Sequence, residues 1–278
     1  MPDASAGHSE RQWAHRLAEA SVEVLGRFAS ASNAALLVLL KGEDEHADGL
    51  NHVDDLDQLL ATTTDPRLRQ LAVFKPRDGE APLWDFPEGT LYRREVAAFE
   101  ISEALGWGLV PATVVLNDPE FGPGSLQRFV PHDPSQHWFH LREHGDAAVL
   151  RQLARMVAFD IVIDNADRKA GHVLLEQARV DGDRVTGLIR LVDHGVSFHV
   201  DRKLRTVAWD LAEDPVPSHI LEDLAAVLSE FEGRVRPRLV GLLDNDEIDR
   251  TAARIDALLT EQTFPQPSGP RAVPWPPL

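Results

Sequence analysis

The chain has 278 residues, 43% of them hydrophobic, which is enough to bury a large core and to divide into two lobes. Its 45 acidic and 28 basic residues give a net charge of −17, and this charge argues against tight binding to nucleic acid or to an anionic membrane surface. Because the chain contains no cysteine, disulfides, thiolate catalysis and cysteine zinc sites are excluded.

The first ten residues lack the cationic and apolar pattern of a signal peptide. No apolar run approaches the roughly 18 residues that a membrane helix needs, and the longest run lies near residues 34–40. We therefore expect a cytoplasmic protein without integral membrane association.

The N-terminal half alternates short apolar runs with polar turns, a pattern that predicts strands and one helix. Residues 1–20 predict an extension with a frayed start and a short helix, and the acidic stretch 42–60 predicts a loop or a short helix. The predicted strands are 22–28, 34–40, 70–75, 112–117 and 125–130, and the predicted helix is 91–105. These elements are expected to form an N-terminal lobe over residues 21–132.

The second half predicts a C-terminal lobe over residues 133–262, with Asp133-Pro134 at the boundary. Apolar residues at helical spacing indicate a helix from 146 to about 163. The other predicted elements are strands near 172–176 and 187–193 and helices near 219–231 and 246–261. The proline-rich tail, residues 263–278, is expected to be extended or disordered.

Two aspartates stand in similar contexts in this second half. Asp167 lies on a polar turn between the predicted helix and a short apolar strand, where a phosphoacceptor hydroxyl could meet it. Asp193 follows an apolar run and precedes Gly195, as in kinases that hold magnesium against the phosphates of ATP. Either acid alone would more often be a helix cap or a turn former. The ordered pair indicates a kinase-like site.

A kinase also needs a lysine on an upstream strand and a glutamate on a helix to hold it. Gln70-Leu-Ala-Val-Phe-Lys-Pro76 predicts a short strand that carries Lys75, and Glu95 lies on the first turns of the following helix. Without the two downstream aspartates, a surface lysine and a solvated glutamate would be the simpler interpretation.

At these residues the chain resembles the phosphatidylinositol 3-/4-kinase-like superfamily, and more closely a group of actinobacterial proteins assigned to it. The resemblance covers roughly residues 20–240. The motifs that carry it are Ala72-Val-Phe-Lys-Pro76, Pro82-Leu-Trp-Asp-Phe-Pro87, Arg94-Glu-Val-Ala-Ala-Phe99, Gly124-Ser-Leu-Gln-Arg-Phe129, Asn165-Ala-Asp-Arg-Lys-Ala-Gly-His172 and Val192-Asp-His-Gly195. It implies an α+β, protein-kinase-like two-lobe fold, with an antiparallel sheet and one helix in the first lobe and a mainly helical second lobe.

The resemblance also implies roles for individual residues, with ATP and Mg²⁺ or Mn²⁺ as cofactors. Lys75 would contact the nucleotide phosphates and Glu95 would orient it. Asp167 would be the catalytic acid and Asp193 a metal ligand. The hinge segment, whose backbone meets adenine, would contain Gln127, Phe129 and Val130.

Two positions depart from the family pattern. The family's second metal ligand is an asparagine five residues after the catalytic aspartate, and here that position is His172. Because imidazole suits softer ions than magnesium, we expect manganese to be used at least as well as magnesium. A metal ligand must be a neutral imidazole, so we also expect activity to decline as the pH falls through roughly 6.5, the ordinary histidine pKa. No Gly-x-Gly-x-x-Gly loop precedes Lys75, so Ser30, Ser32 and Asn33 are the candidate residues that cover the phosphates.

The sequence therefore predicts an ATP-dependent phosphotransferase that acts on an alcohol group, with a lipid headgroup, a small alcohol or a protein hydroxyl as the unknown acceptor. A nucleotide-binding pseudokinase and a nucleotidyl (AMP) transferase are the alternatives. A zinc hydrolase built on His137, His140 and His144 is a weaker one, because no His-Glu-x-x-His pattern accompanies them. A serine hydrolase has least support, since no Gly-x-Ser-x-Gly elbow occurs.

Basic residues follow the Asp193 motif at Arg202, Lys203 and Arg205. The superfamily places its activation loop at this position, and these side chains could attract a phosphorylated substrate. Alternatively they only offset the acidity of their surroundings.

Overall fold

The computed structural model describes residues 9–28, 33–41, 62–269 and 271–278. Helix α1 (Glu10–Glu19) begins at Ser9, whose hydroxyl accepts the Gln12 N–H while the Gln12 side chain accepts the Ser9 N–H. This reciprocal cap satisfies two backbone donors that the first turn of a helix leaves without partners. The helix packs on the N-terminal lobe through Leu17, so residues 10–19 of the predicted extension contribute to that lobe's core.

Within the described ranges, five strands form one antiparallel sheet in the order β1-β2-β3-β5-β4. The strands are β1 (Ser21–Arg27), β2 (Leu36–Lys41), β3 (Leu71–Pro76), β4 (Thr113–Asp118) and β5 (Gly122–Arg128). Strand β5 begins earlier than predicted and includes Gly124, which pairs with Pro76. A Cβ atom at Gly124 would lie 2.5 Å from the carbonyl oxygen of Lys75, so only glycine allows the two strands to approach here.

Helix α2 (Leu91–Ala104) packs against this sheet and is buried along most of its length. Its first N–H groups are satisfied by Glu80, whose two carboxylate oxygens accept from Leu91 and Tyr92. The helix ends before Gly106, which has a φ of 65°, a conformation that glycine adopts without steric cost. The sheet and the helix together place Lys75 and Glu95 on facing elements.

The C-terminal lobe is mainly helical, as the sequence predicts. Its helices are α3 (Trp138–His144), α4 (Ala147–Ile163), α5 (Ser218–Ser229), α6 (Arg236–Leu239) and α7 (Asn245–Glu261). A hairpin of β6 (Val173–Asp181) and β7 (Arg184–Leu191) packs beside α4. Asp146 begins α4 by accepting the N–H groups of Ala148 and Val149. Among the described residues, none of the helices combines the length and the apolar character that a membrane crossing requires.

The C-terminal tail follows the surface of this lobe without forming a helix. The Ala272 carbonyl accepts from the Thr206 N–H at 3.0 Å and from the Trp209 indole at 2.8 Å. The Pro277 carbonyl accepts from the Ala170 N–H at 2.8 Å. The backbone of the described part of the tail is thus hydrogen-bonded to the lobe.

Candidate active site

Lys75 and Glu95 face each other between the sheet and α2. The Lys75 Nζ lies 2.5 Å from Glu95 Oε1, and the Glu95 side chain is only 4% exposed. The second carboxylate oxygen of Glu95 accepts the backbone N–H of His194 at 2.9 Å. Glu95 therefore fixes both the lysine and the segment that carries Asp193.

Asp193 completes this cluster from the chain that follows β7. Its Oδ1 lies 3.0 Å from the same Lys75 Nζ, and its side chain is 42% exposed. Asp193 has a φ of 63°, a left-handed conformation that is uncommon for residues other than glycine and recurs at functional sites. Gly195 then passes α2 so closely that a Cβ there would lie 3.3 Å from the Leu91 side chain.

The Lys75 ammonium favours the charged form of both carboxylates, whereas the two carboxylates oppose each other. Burial alone would lower the pKa of Lys75, but the carboxylates of Asp193 and Glu95 raise it above its ordinary value. Burial would raise the pKa of Glu95, and the Lys75 ammonium instead lowers it to about 2. The same ammonium lowers the pKa of Asp193 against the effect of burial. All three groups are consequently charged near neutral pH.

Asp167 lies on the loop that follows α4. Asp164, the residue that follows the helix, has a φ of 51°, and the Asn165 side chain then accepts the Asp167 N–H at 2.9 Å. The Asp167 carboxylate is 3.3 Å from the ammonium of Lys169. Burial raises the pKa of Asp167, Lys169 opposes this rise, and Asp193 adds to it. A carboxylate with a raised pKa is a better proton acceptor than an ordinary aspartate.

Arg168 holds the Asp167 loop against the Asp193 segment, a role that the sequence analysis missed. Its guanidinium is fully buried and lies 2.9 Å from an oxygen of Asp160 on α4. It also donates to the Val192 carbonyl at 3.0 Å and approaches His194 Nε2 at 2.9 Å. Because arginine has no acceptor, His194 Nε2 must be unprotonated here. The sequence signal for this role is Asp160, an acid near the buried end of an apolar helix in Ala158-Phe-Asp-Ile161.

His172 lies just before β6, with its Nε2 3.3 Å from Asp193 Oδ2. Burial lowers the pKa of His172 to about 4, although Asp193 opposes the shift. The imidazole is therefore neutral well below the ordinary histidine pKa. This lowered pKa does not support the expectation that protonation of His172 reduces activity near pH 6.5.

A divalent ion fits between Asp193 and His172, because a carboxylate oxygen and a neutral imidazole nitrogen meet there. Among the described residues, no three His, Asp or Glu side chains gather to form a complete protein cage for a metal. A two-residue donor set is what Mg²⁺ sites on nucleotides use, since phosphate oxygens and waters supply the other ligands. When bound, such an ion would neutralise phosphate charge next to Lys75.

The residues expected to contact the nucleotide are only partly where the resemblance implied. Ser30 and Ser32 lie outside the described residues. The Asn33 side chain accepts the Ala81 N–H at 2.7 Å, which ties it to the chain between β3 and α2.

Gln127, the first residue of the predicted hinge segment, lies in a strand and not in the hinge. Gln127 lies inside β5, where its backbone pairs with β3 and β4 and its side-chain amide donates to Thr113 at 2.8 Å. It is therefore not free to meet adenine. Phe129 follows the strand and donates its N–H to Leu71, and Val130 is the first residue whose N–H makes no hydrogen bond within the described chain.

The three histidines of the zinc alternative do not converge. His137 precedes α3 and packs edge-on against Phe139, with ring centroids 5.8 Å apart. The rings of His140 and His144 contact each other at 4.5 Å, and His144 Nδ1 lies 3.2 Å from the Asp183 carbonyl. Because the described residues contain no cluster of three metal-ligating side chains, this alternative is wrong for them.

Solved structures of kinases share this architecture. The Helicobacter pylori proinflammatory kinase CtkA superimposes with a TM-score of 0.50 over 89% of this chain and 94% of its own, at 10% identity. The golgi casein kinase superimposes with a TM-score of 0.52 over 90% of this chain and 74% of its own, at 14% identity. The chain therefore has a protein-kinase-like two-lobe fold, which confirms the predicted fold class.

A relative that matches nearly the whole chain shows the family to which the chain belongs. Protein Rv2133c of Mycobacterium tuberculosis (strain ATCC 25618 / H37Rv) is 36% identical over 290 residues, which cover 94% of this chain and 93% of the relative. The chain belongs to the same family as Protein Rv2133c. No protein-family model matches the chain.

Proposed function

We propose that the protein is an ATP-dependent phosphotransferase of the phosphatidylinositol 3-/4-kinase-like superfamily, and that it transfers the γ-phosphoryl group of ATP to an alcohol. The observation that carries this proposal is the position of Lys75, whose ammonium contacts both Glu95 on α2 and Asp193 after β7. Kinases use such a lysine to hold the nucleotide phosphates beside a metal-binding aspartate. The kinase names of the two structural neighbours agree with this proposal.

Lys75 has the charge that is needed to bind the phosphates of ATP. Its pKa is raised by Asp193 and Glu95, so the ammonium keeps its proton in the cleft. On nucleotide binding, Lys75 would exchange its bond to Asp193 for phosphate oxygens while Glu95 keeps it in place. Asp193 and His172 would then hold the metal, and the Val130 N–H would donate to adenine.

Asp167 is the residue placed to act on the acceptor. In the proposed step its carboxylate takes the proton of the acceptor hydroxyl while the hydroxyl oxygen forms a bond to the γ-phosphorus. The bond between that phosphorus and the β,γ-bridging oxygen breaks, and ADP leaves with the electron pair. Lys169, 3.3 Å from Asp167, would offset the charge on the transferred group.

The second candidate is a nucleotide-binding module that does not transfer a phosphoryl group. It is favoured by His172 at the position of the family's asparagine and by the direct bond between Lys75 and Asp193, which must open before phosphates can bind. AMP transfer is a further candidate reaction for the same cleft, since it needs only a different orientation of the triphosphate.

One experiment separates these functions. The purified protein is titrated with ATP in Mg²⁺ or Mn²⁺ by calorimetry and then incubated with ATP and analysed by intact mass, with Asp167→Asn as control. ATP binding with a phosphoryl gain that Asp167→Asn removes supports the kinase. A gain of one adenylyl group supports AMP transfer, and binding without any turnover supports the pseudokinase. If neither metal promotes ATP binding, the nucleotide site itself is excluded.

A further inference from the structure

A second pocket lies outside the Lys75–Asp193 cleft, between α7 and the segment of residues 196–206. Its volume is about 450 Å³, within the range of small-molecule sites. Three arginines line it: Arg202 from the segment, and Arg250 and Arg254 from α7. The pocket also reaches Asp164 at the end of α4, three residues before Asp167.

These arginines have few partners of their own. Arg254 donates to the His199 carbonyl and lies 3.6 Å from Asp164, but its Nη1 is buried without a hydrogen-bond acceptor in the described chain. Arg202 is exposed and, among the described residues, donates only to the Gln266 carbonyl, at 3.2 Å. Arg250 makes no ion pair with any described residue. Arg94, Arg155 and Arg254 each have a buried guanidinium nitrogen without an acceptor among the described residues, and of these three only Arg254 lines the pocket.

Their arrangement is also electrostatically unfavourable without a ligand. Arg250 and Arg254 are four residues apart on α7 and therefore lie one above the other, where like charges repel. Burial lowers the pKa of Arg254, Asp164 offsets this in part, and Arg250 lowers it further. In contrast, the buried Arg94 is paired with Glu247 on the same helix at 2.5 Å. Of the three arginines, only Arg254 forms an ion pair within the described residues, with Asp164 at 3.6 Å.

The acids that line the pocket offset these charges only in part. Both oxygens of Asp164 accept backbone N–H groups, from Lys203 at 2.8 Å and from Leu204 at 3.1 Å. Asp201 has an 80% exposed side chain and lies beside His199, at 3.9 Å from its Nδ1. Glu261 is exposed at the last turn of α7.

We propose that this pocket binds a phosphate monoester group, with the three arginines as its ligands. Guanidinium groups match the geometry of phosphate oxygens and donate two hydrogen bonds each, and a dianion supplies the acceptor that Arg254 Nη1 lacks. Because Arg202 comes from the segment 196–206 and the other two from α7, the ligand also fixes that segment. The inference goes beyond the proposed function, since this binding does not require ATP.

Calorimetry in a buffer without phosphate or sulfate tests the site directly. Glycerol 3-phosphate is expected to bind and glycerol is not. The double variant Arg202→Ala, Arg250→Ala is expected to bind at least about tenfold more weakly, a change that corresponds to about 1.4 kcal/mol. Arg179→Ala, which removes an exposed arginine from the distant β6–β7 hairpin, is the matched control and keeps wild-type affinity. Hydrogen exchange of residues 196–206 should slow with ligand in the wild type.

The source of the phosphate is tested with vesicles of phosphatidylcholine with and without phosphatidic acid, which carries the same monoester. Binding of the soluble compound supports a small phosphorylated ligand, and binding of phosphatidic acid vesicles alone supports a lipid. The proposal is overturned if neither binds, or if the double variant and Arg179→Ala bind equally. ATP titrations of the same variants distinguish the phosphate monoester site from the proposed kinase function. Loss of ATP binding alone contradicts only the kinase function.

Discussion

Arg128 and Glu176 join the two lobes. Arg128, the last residue of β5, places its Nη1 2.6 Å from an oxygen of Glu176 on β6. Both side chains are buried, and the pair extends to Glu10 on α1 and to Arg190 on β7. The link lies directly before Phe129 and Val130, the residues proposed for the hinge, and it connects the sheet to the C-terminal lobe.

This pair predicts a pH-dependent part of the stability. Burial would raise the pKa of Glu176, but Arg128 and Arg190 lower it below its ordinary value. A carboxyl whose pKa is lower in the folded state stabilises the protein above its unfolded pKa of roughly 4.3 and loses this effect as the pH falls through the folded value. We expect Glu176→Gln to lower the free energy of unfolding at pH 7 by about 1–3 kcal/mol.

Urea unfolding at pH 7 and at pH 3.5 measures this effect. The difference between wild type and Glu176→Gln should shrink at the lower pH. Glu222→Gln, at an exposed position on α5, is the matched control and should change stability at neither pH. An equal loss at both pH values would show that the Glu176 charge is not the cause.

Asp193 and Asp167 are expected to separate binding from transfer. Asp193→Ala removes the proposed metal ligand and would leave the triphosphate charge exposed, so metal-dependent ATP binding should be lost. Asp167→Ala should leave ATP affinity nearly unchanged and reduce transfer by roughly 10²–10⁴-fold, the usual contribution of a positioned base. Calorimetry and single-turnover transfer measure the two effects. Wild-type behaviour of both variants would show that the assignment of the site is wrong.

Lys75 and Glu95 are expected to act as one unit. Lys75→Met should weaken ATP binding at least about tenfold without unfolding the protein, because the ammonium lines a cleft and contributes little to the core. Without that cation, burial raises the pKa of Glu95, so Lys75→Met with Glu95→Gln should be less destabilised than the sum of the single variants. Thermal unfolding and ATP titration of all four proteins complete the cycle. Additive losses would mean that the two side chains do not interact.

His172 is expected to determine the choice of metal. If its Nε2 is a metal ligand, Mn²⁺ should support ATP binding at least as well as Mg²⁺, since imidazole favours the softer ion. His172→Asn should shift the preference towards Mg²⁺, while His140→Asn on α3 should leave it unchanged. Calorimetry with ATP and each metal gives the comparison. If His172→Asn keeps the wild-type preference, the imidazole only packs beside Asp193.

The order and type of most elements could be predicted from the sequence because they depend on local pattern. Apolar residues at helical spacing and an N-terminal Asp146 determine α4, and a short apolar run that ends at Pro76 determines β3. The sequence also indicated four site residues, because they occur on a strand, a helix and two turns in the order of a kinase site. These residues are Lys75, Glu95, Asp167 and Asp193.

Only the tertiary structure decided what surrounds those residues. The buried contacts of Arg168 with Asp160 and His194 join residues from α4, its loop and the chain after β7, and no periodicity encodes such pairings. The lowered pKa of His172 likewise depends on burial by distant elements, and so does not support an expectation based on its ordinary value. Local sequence sets the conformation of each segment, whereas burial and charge at the site are sums over segments that meet only in the fold.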